Sequence, residues 1–175
     1  MAAPKTVNVF FCHAPQDEEL RRKLETHLAL LERGGAVASW NSGAVGAGAD
    51  GRAEIERQMD RADIILLLVS ADFLASDQLY DVQLQRALAR RRAGSTVLGI
   101  LLRPCDWEQG ELGKLVTLPR AEGRVVPVTA WPNLDAAFAS IAGAVRAEIA
   151  RLFAGVVGRI SRNPPVAHSI PALRG

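Results

Sequence analysis

The sequence predicts an α/β domain in which a five-stranded parallel sheet carries helices on both faces. The central observation is the run from Ile64 to Val69, six consecutive large aliphatic residues with no polar face, which is typical of a strand buried on both sides. Strand-like and helix-like segments alternate on either side of this run, as in parallel α/β folds. A buried helix would also be apolar throughout, but the run is short and stops at Ser70, which favours a strand.

Four elements are expected before the central strand. Residues 7–11 are a short apolar run that predicts the first strand. A helix follows, with Asp17 as its expected N-cap and a pair of glycines at its end. Its core residues recur at helical spacing: Leu20, Leu24, Leu28 and Leu31. We expect a second strand at 36–40, a loop of small residues at 41–51 and a short helix at 52–61.

Beyond the central strand, Ser76 or Asp77 is expected to begin a helix that ends near residue 93. The stripe of this helix that faces the core is Tyr80, Leu84, Ala87 and Leu88. Residues 96–102 predict a fourth strand and residues 125–130 a fifth. The fifth is expected at the edge of the sheet because Pro127 lacks a backbone N–H.

The carboxyl-terminal part predicts one more helix and then a tail. Asn133 or Asp135 is expected to begin the helix, and its apolar face is Phe138, Ile141, Val145, Ile149 and Leu152. The pattern fades from about residue 155, and prolines follow. We therefore expect a folded domain at 1–154 and a linker or tail at 155–175 that leads to a further domain.

The overall composition disfavours several classes of partner. A chain of 175 residues that is 49% hydrophobic fits one domain with a real core. Its net charge of +2 is too small to indicate a nucleic-acid partner, and the basic run at 90–92 suits the end of a helix. No apolar run approaches the roughly 20 residues of a membrane span. The amino-terminal residues lack a charged region followed by an apolar core, so we do not expect a signal peptide. We expect a cytoplasmic protein that binds neither nucleic acid nor membrane.

The sequence gives only weak support for three kinds of site: a metal site, a cysteine nucleophile with a histidine base, and a dinucleotide-binding site. Cys12 and Cys105 lack the spacing of metal ligands, so no metal is expected. Cys12 and His13 are adjacent on an extended segment, where their side chains point apart, which disfavours a nucleophile and its base. Residues 46–51 match G-x-G-x-x-G, but a dinucleotide fingerprint directly follows the first strand, and this motif follows the second at a distance.

Several motifs resemble those of bacterial TIR domains. The segment Val-Phe-Phe-Cys-His-Ala at 9–14, with Asp-Glu-Glu-Leu at 17–20, is similar to the opening strand and loop of the family. The central strand and the residues at 72–77 that follow it resemble a second motif. Shorter similarities lie at 103–107, 113–115 and 131–133. The resemblance spans roughly residues 7–152 and implies the flavodoxin-like TIR fold.

The resemblance implies two kinds of function. Many TIR domains cleave the bond between nicotinamide and ribose in NAD, and many act by self-association in immune, anti-phage or stress signalling. Catalytic members work as assemblies in which a mobile loop of a neighbouring subunit helps to close the pocket. That loop corresponds here to residues 41–51, with Val45, Gly46, Ala47 and Gly48 as the expected interface. The implied partners are further copies of the chain and other TIR-containing proteins.

The position of the family's catalytic glutamate is occupied by Gln83. Cleavage passes through an oxocarbenium-like ribose, which a carboxylate stabilises electrostatically. Glutamine keeps the shape and the hydrogen-bonding capacity of glutamate but carries no charge. Asp81 is no substitute, because two residues along a helix correspond to roughly 200° of rotation.

Other positions of the implied NAD pocket also depart from the family pattern. Similar bacterial members carry a histidine and an aspartate after the tryptophan, here Trp40, but this chain has Asn41 and Ser42. The family's arginine is replaced by Gly43, and its ligand-flanking tryptophan by Gly51. The remaining pocket residues that the resemblance implies are Cys12, His13 and Tyr80.

We therefore expect a TIR module for self-association or protein interaction whose NAD-cleavage site is impaired, a pseudoenzyme that requires no cofactor. The alternative is an NAD+ hydrolase that releases nicotinamide, either through other pocket groups or because Gln83 is an introduced change. NAD would then be its substrate or ligand. The sequence alone leaves enzymatic activity open.

Overall fold

A parallel sheet forms the centre of the computed structural model, which describes residues 6–41 and 49–161. The strands of this sheet are, in chain order, β1 (Val7–Cys12), β2 (Val37–Asn41), β3 (Ile64–Val69), β4 (Thr96–Leu101) and β5 (Thr117–Leu118). They lie side by side in the order β2-β1-β3-β4-β5, and every neighbouring pair is parallel. This arrangement confirms the predicted five-stranded parallel sheet.

Helices cover both faces of the sheet. They are α1 (Glu18–Arg33), α2 (Ala49–Arg61), α3 (Ala71–Ala75), α4 (Leu84–Arg92) and α5 (Leu134–Ser161), with a π-helical segment, Gln78–Gln83, directly before α4. Apolar side chains of α1 and α5 pack on one face of the sheet, and those of α2 and α4 on the other. Within the described ranges, no helix combines the length and the apolarity that crossing a bilayer requires.

β3 supplies side chains to the cores on both faces. Ile64, Leu66 and Leu68 belong to the core under α1 and α5, and Ile65, Leu67 and Val69 to the core under α2 and α4. None of the six is more than 1% exposed. Burying one such side chain is worth about 1.5–3 kcal/mol, so a polar residue anywhere in β3 would be costly.

The strand order reverses its direction beside β1. The chain moves from β1 to β2 on one side and then returns to β3 on the other side of β1. In open α/β sheets, ligands bind outside the carboxyl ends of the strands where this direction reverses. The order 2-1-3-4-5 is also that of flavodoxin-like sheets, which confirms the predicted fold class.

The predicted fifth strand at 125–130 is wrong. The fifth strand is Thr117–Leu118, which pairs with Gly99 and Ile100 of β4. Val125 instead belongs to a small antiparallel hairpin of β6 (Arg120–Ala121) and β7 (Arg124–Val125), and Val128–Ala130 forms a 3₁₀ turn. Pro127 lies between the hairpin and this turn, where its missing N–H is tolerated.

Helix boundaries differ from the predictions in three places. α2 begins at Ala49, three residues before the predicted start, so Gly51 lies inside a helix and not in the loop. The helix expected from Ser76 is preceded by the short helix α3, which Ser70 caps by accepting a hydrogen bond from the Phe73 N–H over 3.2 Å. α5 continues to Ser161, past the residue at which the pattern fades.

The structure decides between the two predicted capping residues at two helix starts. The hydroxyl of Ser76 accepts a hydrogen bond from the Leu79 N–H over 3.2 Å, whereas Asp77 makes no capping bond. The side chain of Asn133 accepts from the Ala136 N–H over 3.1 Å at the start of α5. These bonds satisfy donors that the first turn of a helix leaves free.

Candidate functional site

A cluster of charged and polar side chains lies at the carboxyl ends of β1, β3 and β4. Asp17 follows β1, Ser70 follows β3, and Arg103 lies two residues after β4. Asp17 was predicted to cap α1, but it makes no capping bond. Its side chain is instead buried in this cluster, with 1% of the residue exposed.

Asp17 is the centre of the cluster. One carboxylate oxygen accepts a hydrogen bond from the Ser70 hydroxyl, and the other accepts from Arg103 Nε over 2.9 Å. Arg103 also donates through a terminal nitrogen to Asp72 in the first turn of α3. The hydrogen bonds that Arg103 donates to the carboxylates of Asp72 and Asp17 raise the pKa of its guanidinium. A buried carboxylate is stable only when it is paired and hydrogen-bonded in this way.

A second polar group surrounds His13, which directly follows β1 and is 4% exposed. Its Nε2 lies 2.6 Å from Glu18 Oε2. Hydrogen bonds from Arg21 lower the pKa of Glu18 to about 2, so this carboxylate is ionised and His13 Nε2 carries the proton. Burial lowers the pKa of His13, which favours the neutral ring. Its Nδ1 is then an acceptor, and within the described residues it has no partner.

Arg21 extends this group toward β2. It is 4% exposed, and it donates to Glu18 over 2.9 Å and to Glu25 through another nitrogen. Glu25 in turn accepts from the Ser39 hydroxyl over 3.1 Å. The burial of Arg21 could not be predicted from the sequence. The leucine stripe of α1 marks the buried face, and a charged residue beside such a stripe is normally exposed.

Gln83 is the last residue of the π-helical segment, and it is 3% exposed. Its Oε1 is buried and has no hydrogen-bond partner in the described part of the chain. Asp81 and Val82 are both exposed, so the nearest acid in sequence points away from the buried face on which Gln83 lies. Single π-helical turns often mark functional positions because they re-aim one side chain.

The carboxylates of the cluster are already committed to cations. Asp17 and Asp72 share Arg103, and Glu18 is paired with Arg21 and, over 3.0 Å, with Arg22. The positive charge of the paired arginine offsets the field of such a carboxylate, so it stabilises a cation in a ligand less than an unpaired carboxylate does. In residues 6–41 and 49–161, no group of three His, Cys, Asp or Glu side chains is placed to hold a metal ion.

The other predicted pocket residues have different surroundings. Cys12 is fully buried at the end of β1, and burial raises the pKa of its thiol. Tyr80 is half-buried, with its hydroxyl so near Gly110 that a Cβ there would lie 3.1 Å from it. Asn41 ends β2 and is half-buried, and Gly51 is buried in α2. The remaining predicted positions lie outside the described residues or side chains: Trp40, Ser42, Val45, Gly46, Ala47 and Gly48.

Comparison with known proteins gives two findings. Residues 9–140 match the family model described as TIR domain. The chain is also 44% identical over 159 residues to an uncharacterized protein, y4lF, of Sinorhizobium fredii. That similarity covers 90% of this chain and 47% of the relative, so the chain spans about half the length of the protein it matches.

Proposed function

This chain belongs to the TIR domain family, and we propose that it is a self-association and protein-interaction module of bacterial immune or stress signalling whose NAD-cleavage site is impaired. The family supports a signalling or interaction module or a role that involves NAD. The choice between these roles rests on the residue at position 83. We place the protein in the cytoplasm, with other TIR domains and further copies of itself as partners.

The observation that carries this proposal is a neutral, buried amide at the position of the family glutamate. Departure of nicotinamide leaves positive charge on the ribose, which a nearby carboxylate stabilises. Gln83 cannot supply that charge, and the carboxylates Asp17, Glu18 and Asp72 are held by arginines. Losing one such stabilising group commonly lowers a rate about a hundredfold or more.

Two positions at the ends of the connection between β2 and α2 support the same proposal: Asn41 is the last residue of β2, and Gly51 lies in the first turn of α2. Asn41 stands where similar members have a histidine, and Gly51 where they have the tryptophan that flanks the ligand. Several simultaneous departures fit a site that has lost selection for cleavage better than one isolated change does.

Two surfaces are proposed for association. One is the loop that contains Val45, Gly46, Ala47 and Gly48. The other is the segment that begins at Ser76, where Val82 is an exposed aliphatic side chain, 43% accessible to solvent. An exposed apolar residue gains free energy when a second molecule covers it.

Sedimentation velocity over a range of protein concentrations tests the association. We expect the average mass to rise with concentration, and we expect Val82→Asp to shift this rise to higher concentration. Leu30→Asp is the matched control, because Leu30 is 72% exposed on α1, and α1 packs on the opposite face of the sheet from α4. A strict monomer at every concentration would refute the assembly role.

A second candidate, an NAD hydrolase or an NAD-binding sensor, is supported by a different observation. Gln83 Oε1 and His13 Nδ1 are buried acceptors without partners among the described residues, and buried acceptors are normally satisfied. Ribose hydroxyls and the nicotinamide carboxamide are donors that fit them. Calorimetric titration with NAD+ tests this candidate: binding that weakens in both Gln83→Ala and His13→Ala would support it, and the absence of binding would remove it.

A further inference from the structure

Two exposed aliphatic side chains lie near opposite ends of α4. Val82 is 43% exposed in the π-helical segment before this helix, and Val116 is 58% exposed in a groove beside its end. Val82 and Arg91, which lines the same groove as Val116, are about 13 Å apart along the helix axis. A single exposed valine is ordinary, so what matters is the charge beside each of them.

The first of the two surfaces is acidic. Asp77, Asp81 and Val82 are all exposed, and the two aspartates are four residues apart, which places them on roughly the same side of the helix. Neither aspartate forms an ion pair with any residue that the structure describes. We call these three residues the acidic surface.

The second surface is a groove of about 310 Å³ beside the end of α4, which we call the basic groove. Arg91, Arg151 and Val116 line it. Its other aliphatic residues, Val97 and Leu98, are no more than 8% exposed. Val116 therefore supplies the accessible apolar surface of the groove.

The basic groove carries an uncompensated positive charge. Glu148 also lines the groove, but it is paired with Arg151. Arg91 is exposed and has no ion-pair partner within the described ranges, and Arg90 and Arg92 flank it in the last turn of α4. The groove thus offers a cation beside an exposed valine, and the acidic surface offers anions beside another.

We propose that the acidic surface of one copy of this chain docks in the basic groove of a second copy, with Val82 covering Val116 and Asp81 facing Arg91. This inference rests on the self-association proposed above and names the surface that receives the segment beginning at Ser76. Covering both valines removes apolar surface from water, and the opposite charges favour this pairing over others. The charges also suit the dipole of their own helix, but the dipole does not account for the exposed valines beside them.

The same charges disfavour a symmetric contact. If Val82 packed on Val82 of a second copy, the aspartates of the two acidic surfaces would face each other, and like charges repel. A contact between two different surfaces leaves one acidic surface and one basic groove unused in every dimer. Further copies can then add at both ends unless the assembly closes into a ring.

Charge reversal tests the pairing, with sedimentation velocity over a range of protein concentrations as the measurement. We expect Asp81→Arg and Arg91→Glu each to raise the concentration needed for a given average mass by about tenfold or more, because each places like charges against one another. The chain with both substitutions should associate about as well as the unchanged protein, since the two charges have only exchanged places. Arg33→Glu is the matched control, because Arg33 is also exposed at the end of a helix, α1, on the opposite face of the sheet.

Three results would overturn the proposal. If both single variants associated as readily as the unchanged protein, a second copy would not occupy the groove, and self-association would use another surface. If only one of them weakened association, the two surfaces would not be partners of each other. If the double variant stayed as weak as the single variants, Asp81 and Arg91 would not face each other. A monomeric unchanged protein at every concentration would instead refute the self-association itself, and this pairing with it.

Discussion

Arg103 and Asp17 form an ion pair across the carboxyl ends of β4 and β1, with Nε 2.9 Å from Oδ1. The same aspartate accepts a hydrogen bond from Ser70 after β3, and the same guanidinium binds Asp72 in α3. One charged cluster therefore connects the segments that follow β1, β3 and β4. The hydrogen bonds of the sheet do not join these segments.

Arg103→Met is expected to destabilise the domain by about 2 kcal/mol or more, because it leaves the buried carboxylate of Asp17 without its cation. The free energy of unfolding in urea is the measurement. Arg57→Met is the control, because Arg57 is largely exposed and pairs with Glu54, and exposed pairs contribute about 0–1 kcal/mol. Equal effects of the two substitutions would contradict the importance given to the cluster.

Leu67→Ala is expected to cost about 2–5 kcal/mol, since it leaves a cavity beside the middle strand of the sheet. Leu67 is 0% exposed, whereas Leu30 is 72% exposed. The same leucine-to-alanine change at Leu30 is therefore expected to alter the unfolding free energy by no more than about 0.5 kcal/mol. A small effect at Leu67 would mean that β3 is not closely packed on the face that α2 and α4 cover.

The lowered pKa of Glu18 predicts that the domain loses stability in acid. Its pKa is held at about 2 by Arg21, against 4.5 for the ordinary carboxyl. Between these two values the unfolded chain binds a proton that the folded chain does not, so stability falls as the pH falls through that window.

We expect Glu18→Gln to be less stable than the unchanged protein at neutral pH, because it removes a partner of the buried Arg21. Between about pH 5 and pH 2.5 the variant should then lose less unfolding free energy than the unchanged protein does. Glu19→Gln, at an 85% exposed side chain, should keep the full dependence. Parallel pH profiles for the unchanged protein and Glu18→Gln would contradict this account.

Gly99→Ala and Gly143→Ala are expected to change stability in opposite directions. A Cβ at Gly99 would lie 2.8 Å from the Thr117 hydroxyl oxygen, in a buried part of the sheet, so the change should cost about 1–3 kcal/mol. A Cβ at Gly143, in α5, meets nothing within 4 Å, and alanine there should stabilise the helix by about 0.5–1 kcal/mol. Thermal unfolding of both variants and of the unchanged protein is the measurement. If Gly99→Ala were as stable as the unchanged protein, β5 would not pack closely on β4.

The fold could be predicted where the signal is local. The leucines of α1 repeat at helical spacing, and the apolar residues of β3 form one short unbroken run. The type of each element could therefore be predicted from its own residues. β5 could not be predicted, because a strand of two residues is too short to show an alternating pattern. The apolar residues near Pro127 had a stronger strand pattern than Thr117 and Leu118, although they form a hairpin and a turn.

The polar cluster could not be predicted because its contacts are distant in sequence. Asp17 and Arg103 are separated by 86 positions, and Asp17 directly before a helix looks like a cap. Nothing local indicates that Arg21 is buried, because its burial depends on two glutamates that neutralise it. The family resemblance singled out His13 and Gln83, but only the structure adds that each is buried with an unpartnered acceptor atom among the described residues.

The central claim, that the NAD site is impaired, is tested most directly by nicotinamide release from NAD+, measured for the unchanged protein, for Gln83→Glu and for an active TIR hydrolase at equal concentration. We predict that the unchanged protein releases nicotinamide at least about a hundredfold more slowly than the active enzyme. Gln83→Glu should restore little of that rate, because Asn41 and Gly51 also depart from the family. Release by the unchanged protein at a rate comparable to the active enzyme would contradict the account.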